Sequence, residues 1–183
     1  KKALVGINLS MVQVLVAKYG FQYSLNLIKK AAEVLSQYCT GNRLLFQPRD
    51  NHFIFYLFDY KDKNKLVEFS YVIAETLKSL FVTERIGGGI GILEIEQNQD
   101  EVDIDLLLRR LLIASERFVR LFGCDYKICF YDEELEDMVN RERDITEALG
   151  IIAEGDHTND GLFLQYQPIM HLKTGSICSF EAL

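Results

Sequence analysis

The order of strand-like and helix-like stretches along the chain constrains its fold more than any other sequence feature. Short apolar runs alternate with longer stretches whose apolar residues recur every three or four positions, and these two spacings are typical of strands and helices. The pattern predicts strands over 3–9, 43–47, 53–58, 85–95 and 126–131, and helices over 23–38, 66–81 and 103–122. The resulting order is β-α-β-β-α-β-α-β.

This order predicts an α+β fold. The turn-forming residues from Pro48 to His52 separate the second and third strands and predict a β-hairpin with a five-residue tip. A βαββαβ core with the hairpin in its middle is the ferredoxin-like or palm arrangement. We expect a central, mainly antiparallel sheet flanked by helices. Asp103 or Asp105 is expected to cap the last helix of this core, and Gly123 to end it.

The charged segment after Asp132 predicts a further helix over residues 132–154. Its apolar residues Met138, Ile145 and Ile152 lie seven positions apart, but this repeat is too short for a coiled coil to be assigned. We interpret the helix as a connector between domains. A homodimer formed through part of it is the alternative.

The last residues predict a second hairpin around the turn Lys173–Gly175. About twenty residues cannot close a hydrophobic core of their own, so we expect the start of a second domain here. The expected organisation is a domain over 1–131, a helical linker and loop over 132–161, and the truncated start of another domain over 162–183.

The composition is that of an ordinary soluble globular protein. The chain has 183 residues, of which 49% are hydrophobic and 26% charged, and this balance excludes disorder. No apolar stretch approaches the roughly 18 residues that span a bilayer, and no signal peptide opens the chain. We therefore expect a cytoplasmic protein, or the cytoplasmic portion of a membrane-anchored one. The formal charge of −7 argues against nucleic acid as a partner.

The glycine run, the acidic residues before the last core helix and the cysteines could each suggest a ligand or metal site. In each case the spacing lacks residues that such a site needs. The glycine run 87–91 lacks the following Lys-Ser/Thr of a phosphate loop, so we interpret it as a closely packed strand. The acidic residues of 94–105 lack the glycine and terminal glutamate of an EF-hand and indicate a solvated loop. The cysteines lack metal-ligand spacing and are expected to be reduced thiols: Cys39, Cys124, Cys129 and Cys178.

The C-terminal hairpin resembles the opening of an EAL domain, the cyclic di-GMP phosphodiesterase domain. The matching segments occur in the family order: Phe163–Ile169, the turn Thr174-Gly175, and Phe180-Glu181-Ala182-Leu183. Residues 1–131 resemble the GGDEF domain that commonly precedes an EAL domain, to which a charged helix joins it. Element order, length and three short segments carry this second resemblance: Lys18-Tyr19-Gly20, Ile90-Gly91-Ile92 and Phe130-Tyr131-Asp132.

The GGDEF resemblance implies a diguanylate cyclase site whose functional groups are missing here. The family's metal-binding Asp-Leu-Asp pattern is Asn8-Leu9-Ser10 in this chain. The Gly-Gly-Asp/Glu-Glu-Phe signature aligns with Arg49-Asp50-Asn51-His52-Phe53, and only the Phe matches. Asn51 and His52 lack the carboxylate charge that acid/base chemistry and a magnesium site need. His52 and Asp50 form an alternative metal or acid/base pair, but both are expected to be exposed polar residues of the hairpin tip.

The groups that bind the nucleotide are also missing. The two positions at which the family reads guanine hold Val16 and Leu25, which cannot hydrogen-bond to the base. Arg120 matches a basic residue that helps to hold phosphate, with a solvated helix charge as the alternative interpretation. The family's product-inhibition motif, Arg-x-x-Asp, is absent from residues 40–43.

In an intact EAL domain Glu181 would be a divalent-metal ligand, and Gln167 and Leu183 would lie at the substrate site. The other acidic ligands and the base would follow Leu183, so we expect no hydrolysis of cyclic di-GMP by this chain. No cofactor is expected here, whereas Mg or Mn is expected for the intact EAL domain. Cyclic di-GMP would be a ligand of the parent protein.

These resemblances together imply a catalytically inactive GGDEF-like regulatory module of a bacterial cyclic di-GMP signalling protein. It would transmit signals to an adjoining EAL phosphodiesterase domain, or mediate dimerisation for it. The alternative is that the parent protein is an active phosphodiesterase in which the GGDEF domain is an allosteric GTP-binding sensor.

Overall fold

A computed structural model describes residues 1–95, 103–117, 125–153 and 165–182. The chain divides into two compact units, residues 1–139 and 140–183. The strands are β1 (Lys2–Asn8), β2 (Arg43–Arg49), β3 (His52–Phe58), β4 (Gly88–Ile95), β5 (Tyr126–Phe130), β6 (Tyr166–His171) and β7 (Ser176–Ala182). The helices are α1 (Val14–Tyr19), α2 (Phe21–Ser36), α3 (Lys63–Leu80), α4 (Ile104–Glu116) and α5 (Glu133–Ala153).

The first unit contains a five-stranded sheet in the order β2-β3-β1-β4-β5. The pairs among the first four strands of this order are antiparallel, and β5 is parallel to β4. The prediction of an α+β fold with a mainly antiparallel central sheet is therefore confirmed. Asp62 caps α3 and Asp103 caps α4 through side-chain oxygens that accept backbone N–H groups. Residues 118–122 and Gly123, the predicted end of α4, lie outside the described residues.

The two faces of the sheet bury different sets of side chains, because successive residues of a strand point to opposite faces. Ala3, Val5 and Ile7 of β1 belong to the main core, which is also built from apolar residues of α2 and α3. The opposite face carries a smaller core around Ile54, Leu93 and Leu111, the last of which comes from α4. Helices therefore pack on both faces of the sheet.

The glycines at the centre of the α4 face allow the helix to approach the sheet backbone closely. Gly6 and Gly91 are neighbours in the pairing of β1 with β4. A Cβ atom on Gly91 would lie 2.7 Å from the backbone nitrogen of Ser115 and 2.8 Å from the carbonyl oxygen of Leu111. A Cβ atom on Gly6 would lie 2.6 Å from Cγ of Leu111. The structure thus confirms that the glycine run belongs to a closely packed strand.

The hairpin tip is shorter than predicted. Strand β2 continues to Arg49, so the turn contains only Asp50 and Asn51, and the prediction of a five-residue tip is wrong. The pairing of β2 with β3 shifts register between Phe46 and Arg49. Because β2 is an edge strand, Pro48 is tolerated within it although proline has no N–H group to donate.

A 3₁₀ turn, Ser10–Gln13, and the short helix α1 occupy a segment to which the sequence pattern assigns no element. The apolar residues of this segment are nearly continuous, so the helical spacing of the buried Met11, Val12 and Leu15 does not stand out from the residues between them. Gly20 joins α1 to α2 with φ +86°, a conformation that side-chain-bearing residues rarely adopt.

The C-terminal elements agree with the predicted helix and hairpin. The side chain of Asp132 accepts a hydrogen bond from the backbone N–H of Leu135 at 2.7 Å and caps α5. Strands β6 and β7 form a two-stranded antiparallel sheet whose residues are exposed. The predicted loop 155–161 lies outside the described residues. Within the described ranges, no helix is both long enough and apolar enough to cross a membrane.

The variant Gly91→Ala tests the close approach of α4 to the sheet. The two nearest atoms that the new Cβ would meet belong to the backbone of α4 and the third is the rigid Cβ of Ala114, so the helix itself must shift to relieve the contact. We expect the free energy of unfolding, measured in urea, to fall by about 1–3 kcal/mol. Gly41→Ala is the matched control, because a Cβ there meets nothing within 4 Å. Equal stabilities of the two variants would contradict this interpretation.

Candidate functional site

The end of β1 and the β2–β3 turn meet at one end of the sheet. Asn8 is the register partner of His52 in β3 and of Gly89 in β4. The backbone N–H of Leu9 donates to the carbonyl oxygen of Asn51 at 2.8 Å, which ties the end of β1 to the turn. The fold thus brings Asn8, Asn51 and His52, three residues that the sequence analysis singles out, to the same end of the sheet.

Asn8 is held in place by its own local hydrogen bond. Its side chain is 1% exposed, and its Oδ1 atom accepts the backbone N–H of Ser10 at 2.8 Å. The Nδ2 atom is buried and has no hydrogen-bond partner among the described residues. The Asn8 amide is therefore buried at the end of β1 and carries no charge.

His52 is half-buried, whereas the sequence analysis expects it to be exposed at the hairpin tip. Its Nδ1 atom lies 2.8 Å from Oδ1 of Asn51, and its Nε2 atom is buried without a partner in the part of the chain that the structure describes. Burial lowers the pKa of His52, and the Arg49 guanidinium lowers it further. The imidazole is therefore neutral at neutral pH. With Nδ1 donating to Asn51, Nε2 would be a hydrogen-bond acceptor.

The remaining signature residues have different environments. Arg49 and Asp50 are exposed, and the carbonyl oxygen of Asp50 accepts a hydrogen bond from Nε2 of Gln47 at 3.0 Å. Phe53 is 1% exposed and belongs to the main core. Over the described ranges, no three His, Cys, Asp or Glu side chains come close enough together to hold a metal ion.

The other predicted site residues are distributed over both units. Val16 of α1 and Leu25 of α2 are half-buried apolar side chains of the first unit. In the second unit, Gln167 and Glu181 are register partners across the β6–β7 pair, and both are exposed. Arg120 and Leu183 lie outside the described residues.

A cavity of about 330 Å³ beside the hairpin is a feature that the sequence analysis missed. It lies between the β2–β3 hairpin and α4, and its lining includes Arg49, His52 and Arg109. Arg109 is far from the hairpin in sequence, and no local motif connects the two. Partial burial raises the pKa of the nearby Glu116 carboxyl, and the Arg49 guanidinium acts in the opposite direction.

Known structures share the fold of this chain, although its sequence has no clear relative. No protein-family model matches the sequence, and no curated protein is significantly similar to it. The active GGEEF domain of a Vibrio cholerae diguanylate cyclase is similar with a TM-score of 0.50 and 15% identity, over 72% of this chain and 83% of that one. The GGDEF domain of TpbB (YfiN) from Pseudomonas aeruginosa is similar with a TM-score of 0.53 and 11% identity. This similarity covers 76% of this chain and 81% of that one.

A third solved structure, the S helix–GGDEF–EAL portion of Vibrio cholerae LapD bound to c-di-GMP, covers 98% of this chain and 41% of that one. Its identity is 12% and its TM-score 0.49, and we draw nothing from it. The two preceding similarities show that the chain has a GGDEF-like fold. At their sequence identities they show the fold alone.

An NMR titration of the His52 imidazole tests the electrostatics of the site. We expect a pKa below the ordinary 6.5. The folded state then binds the proton more weakly than the unfolded state, so folding stability decreases as the pH falls below about 6.5. Arg49→Gln is expected to raise this pKa without restoring the ordinary value, because burial is the larger cause. An unchanged pKa in this variant would show that the Arg49 charge does not act on the ring.

Proposed function

We propose that residues 1–131 form a degenerate GGDEF domain that has no diguanylate cyclase activity and regulates an adjoining EAL domain of a bacterial cyclic di-GMP signalling protein. The observation that carries this proposal is the pairing of Asn8 with His52. These two side chains occupy the sheet end where the family resemblance requires carboxylates, and neither carries a negative charge.

The chemistry of the cyclase reaction explains why this pair argues against catalysis. Joining two GTP molecules requires a divalent cation that neutralises the triphosphate charge, and magnesium prefers anionic oxygen ligands. Asn8 supplies a neutral amide that is already bound to Ser10, and His52 supplies a neutral nitrogen. The carboxylate of Asp50 belongs to the exposed turn.

Two further pairs of substitutions support the loss of activity. Arg49 and Asp50 stand where the signature has glycines, so side chains occupy space in which a nucleotide would approach the backbone. Val16 and Leu25 stand where the family reads guanine, and their apolar side chains offer no hydrogen bond. The alternative role, an allosteric GTP sensor, has less support for the same reason.

The regulatory role is supported by the attachment of α5 to the first unit. The carboxylate of Glu136 lies 3.8 Å from Nη2 of Arg109 and 3.5 Å from Nε of Arg110, both on α4. The Tyr131 hydroxyl donates to the same carboxylate and is the largest cause of its lowered pKa. Leu135 is 7% exposed. The start of α5 is thus held by several contacts, and a movement of α4 would be passed to this helix.

The EAL part of the proposal rests on the C-terminal hairpin. The cross-strand pairing of Gln167 with Glu181 would bring a substrate-site residue and a metal ligand side by side in an intact EAL domain. In an intact EAL domain, Mg or Mn would bind at Glu181 together with further acidic residues. The chain alone would then have neither enzymatic activity, while its parent would be a cyclic di-GMP phosphodiesterase.

Incubation with GTP and Mg²⁺ or Mn²⁺ tests the loss of cyclase activity. We expect no cyclic di-GMP by liquid chromatography, because the metal site lacks carboxylates. The active Vibrio cholerae GGEEF domain is the positive control. The double variant Asn8→Asp/His52→Glu is expected to gain Mn²⁺ binding, measured by electron paramagnetic resonance. Gln22→Glu/Gln37→Glu adds the same charge at two exposed positions and is expected not to bind the ion. Cyclic di-GMP production by the unaltered chain would overturn the proposal.

Phosphodiesterase assays on the parent protein test the regulatory role. Deletion of residues 1–131 is expected to change the rate of cyclic di-GMP hydrolysis. Glu136→Gln weakens the contacts that hold α5 and is expected to change the rate in the same direction. Glu147→Gln removes the same charge from an exposed position of α5 and serves as the control. An active EAL domain whose rate is unaffected by the deletion would exclude this role.

A further inference from the structure

We propose that the cavity between the β2–β3 hairpin and α4 is a binding site for a small amphipathic anion, with a carboxylate head and an aliphatic tail. Its volume of about 330 Å³ lies within the range of small-molecule sites. All of its lining residues belong to the first unit. The proposal depends on this cavity and not on the loss of cyclase activity.

The position of α4 creates the cavity. Gly6 and Gly91 have no side chains, so the helix can lie close to β1 and β4. The hairpin half of the same sheet face has no helix above it in the part of the chain that the structure describes. Phe46, whose register partner Ile54 lines the cavity, is 52% exposed. An open space therefore remains beside the helix.

The floor and one wall of the cavity are apolar. Ile54 of β3 lies on the floor, and Leu108, Leu111 and Leu112 of α4 form the wall. Leu111 is 2% exposed and Ile54 is 8% exposed, so these side chains are fixed by the smaller core. A preformed apolar surface of this kind suits a hydrocarbon chain, whose transfer from water is favourable.

Polar groups are concentrated at the hairpin end. Arg49 carries a cation at the first signature position, and the buried Nε2 atom of His52 has no partner among the described residues. Arg109 adds a second cation, while Asp105 is the one acidic residue among the described residues of the lining. With His52 neutral, these described residues give the lining a net charge of +1.

This arrangement selects the class of ligand. A guanidinium binds a carboxylate through two parallel hydrogen bonds, so Arg49 is suited to hold the anionic head. A hydroxyl next to that head would be a suitable donor to Nε2 of His52. Glu136 already neutralises part of the Arg109 charge at 3.8 Å, so a ligand with several negative charges fits less well than one with a single charge. Arg49 and His52, two of the four substituted signature positions, would thereby contribute to a different site.

Titration calorimetry with octanoate tests the proposal. Octanol, which lacks the charge, and inorganic phosphate, which lacks the tail, are the comparison probes. We expect octanoate to bind more tightly than either, and Arg49→Gln to weaken it about tenfold through loss of a charge-assisted hydrogen bond. Lys29→Gln removes an exposed charge of α2 that is not part of the cavity lining. We expect this control variant to bind octanoate with unchanged affinity.

A second variant tests the location of the site. Leu108→Trp adds bulk to a partly exposed residue of the cavity wall, and we expect it to abolish octanoate binding with little loss of stability. Octanoate should also shift the NMR signals of the His52 ring. Equal affinities for octanoate and octanol would overturn the proposal. So would equal effects of Arg49→Gln and Lys29→Gln, or unchanged octanoate binding by a folded Leu108→Trp protein.

Discussion

The close approach of α4 to the sheet is the contact on which the other features of the first unit depend. Gly6 and Gly91 lack the Cβ atoms that would otherwise meet Leu111 and the backbone of α4. The helix therefore lies on the β1–β4 half of the sheet, and among the described residues no helix covers the hairpin half, where the cavity lies. The same position of α4 presents Arg109 and Arg110 to Glu136 of α5. The packing of α4 on Gly6 and Gly91 thus determines both where the cavity lies and which side chains of α4 contact Glu136 of α5.

At the candidate site, some residues contribute to packing and others supply polar groups that a ligand could contact. Phe53 fills the main core. The Oδ1 atom of Asn8 accepts the backbone N–H of Ser10, and its amide has no charge. Packing and local hydrogen bonds therefore hold this end of the sheet, while neither Asn8 nor His52 offers a negative charge to a ligand.

The element order could be predicted from the sequence, because each strand and helix has a local spacing of apolar residues that needs no distant partner. Asp103, one of the two predicted caps of the last core helix, acts within one turn, so its role is visible in the sequence. The hairpin tip was predicted less well. The two-residue turn depends on an irregular pairing of β2 with β3, which is a property of two strands together. The segment of α1 was missed because its apolar residues are nearly continuous and hide the helical spacing of the buried ones.

The sequence by itself determined the fold class and the chemical identity of the candidate site, since the absence of carboxylates at Asn8 and His52 is a fact of composition. Only the tertiary structure decided what surrounds those residues. The burial of His52 and the cavity beside it depend on β1, β3 and α4, which are distant in sequence and meet only after folding. The physical reason is that hydrophobic periodicity is local, whereas burial and the electrostatic field at a side chain are sums over all neighbouring elements.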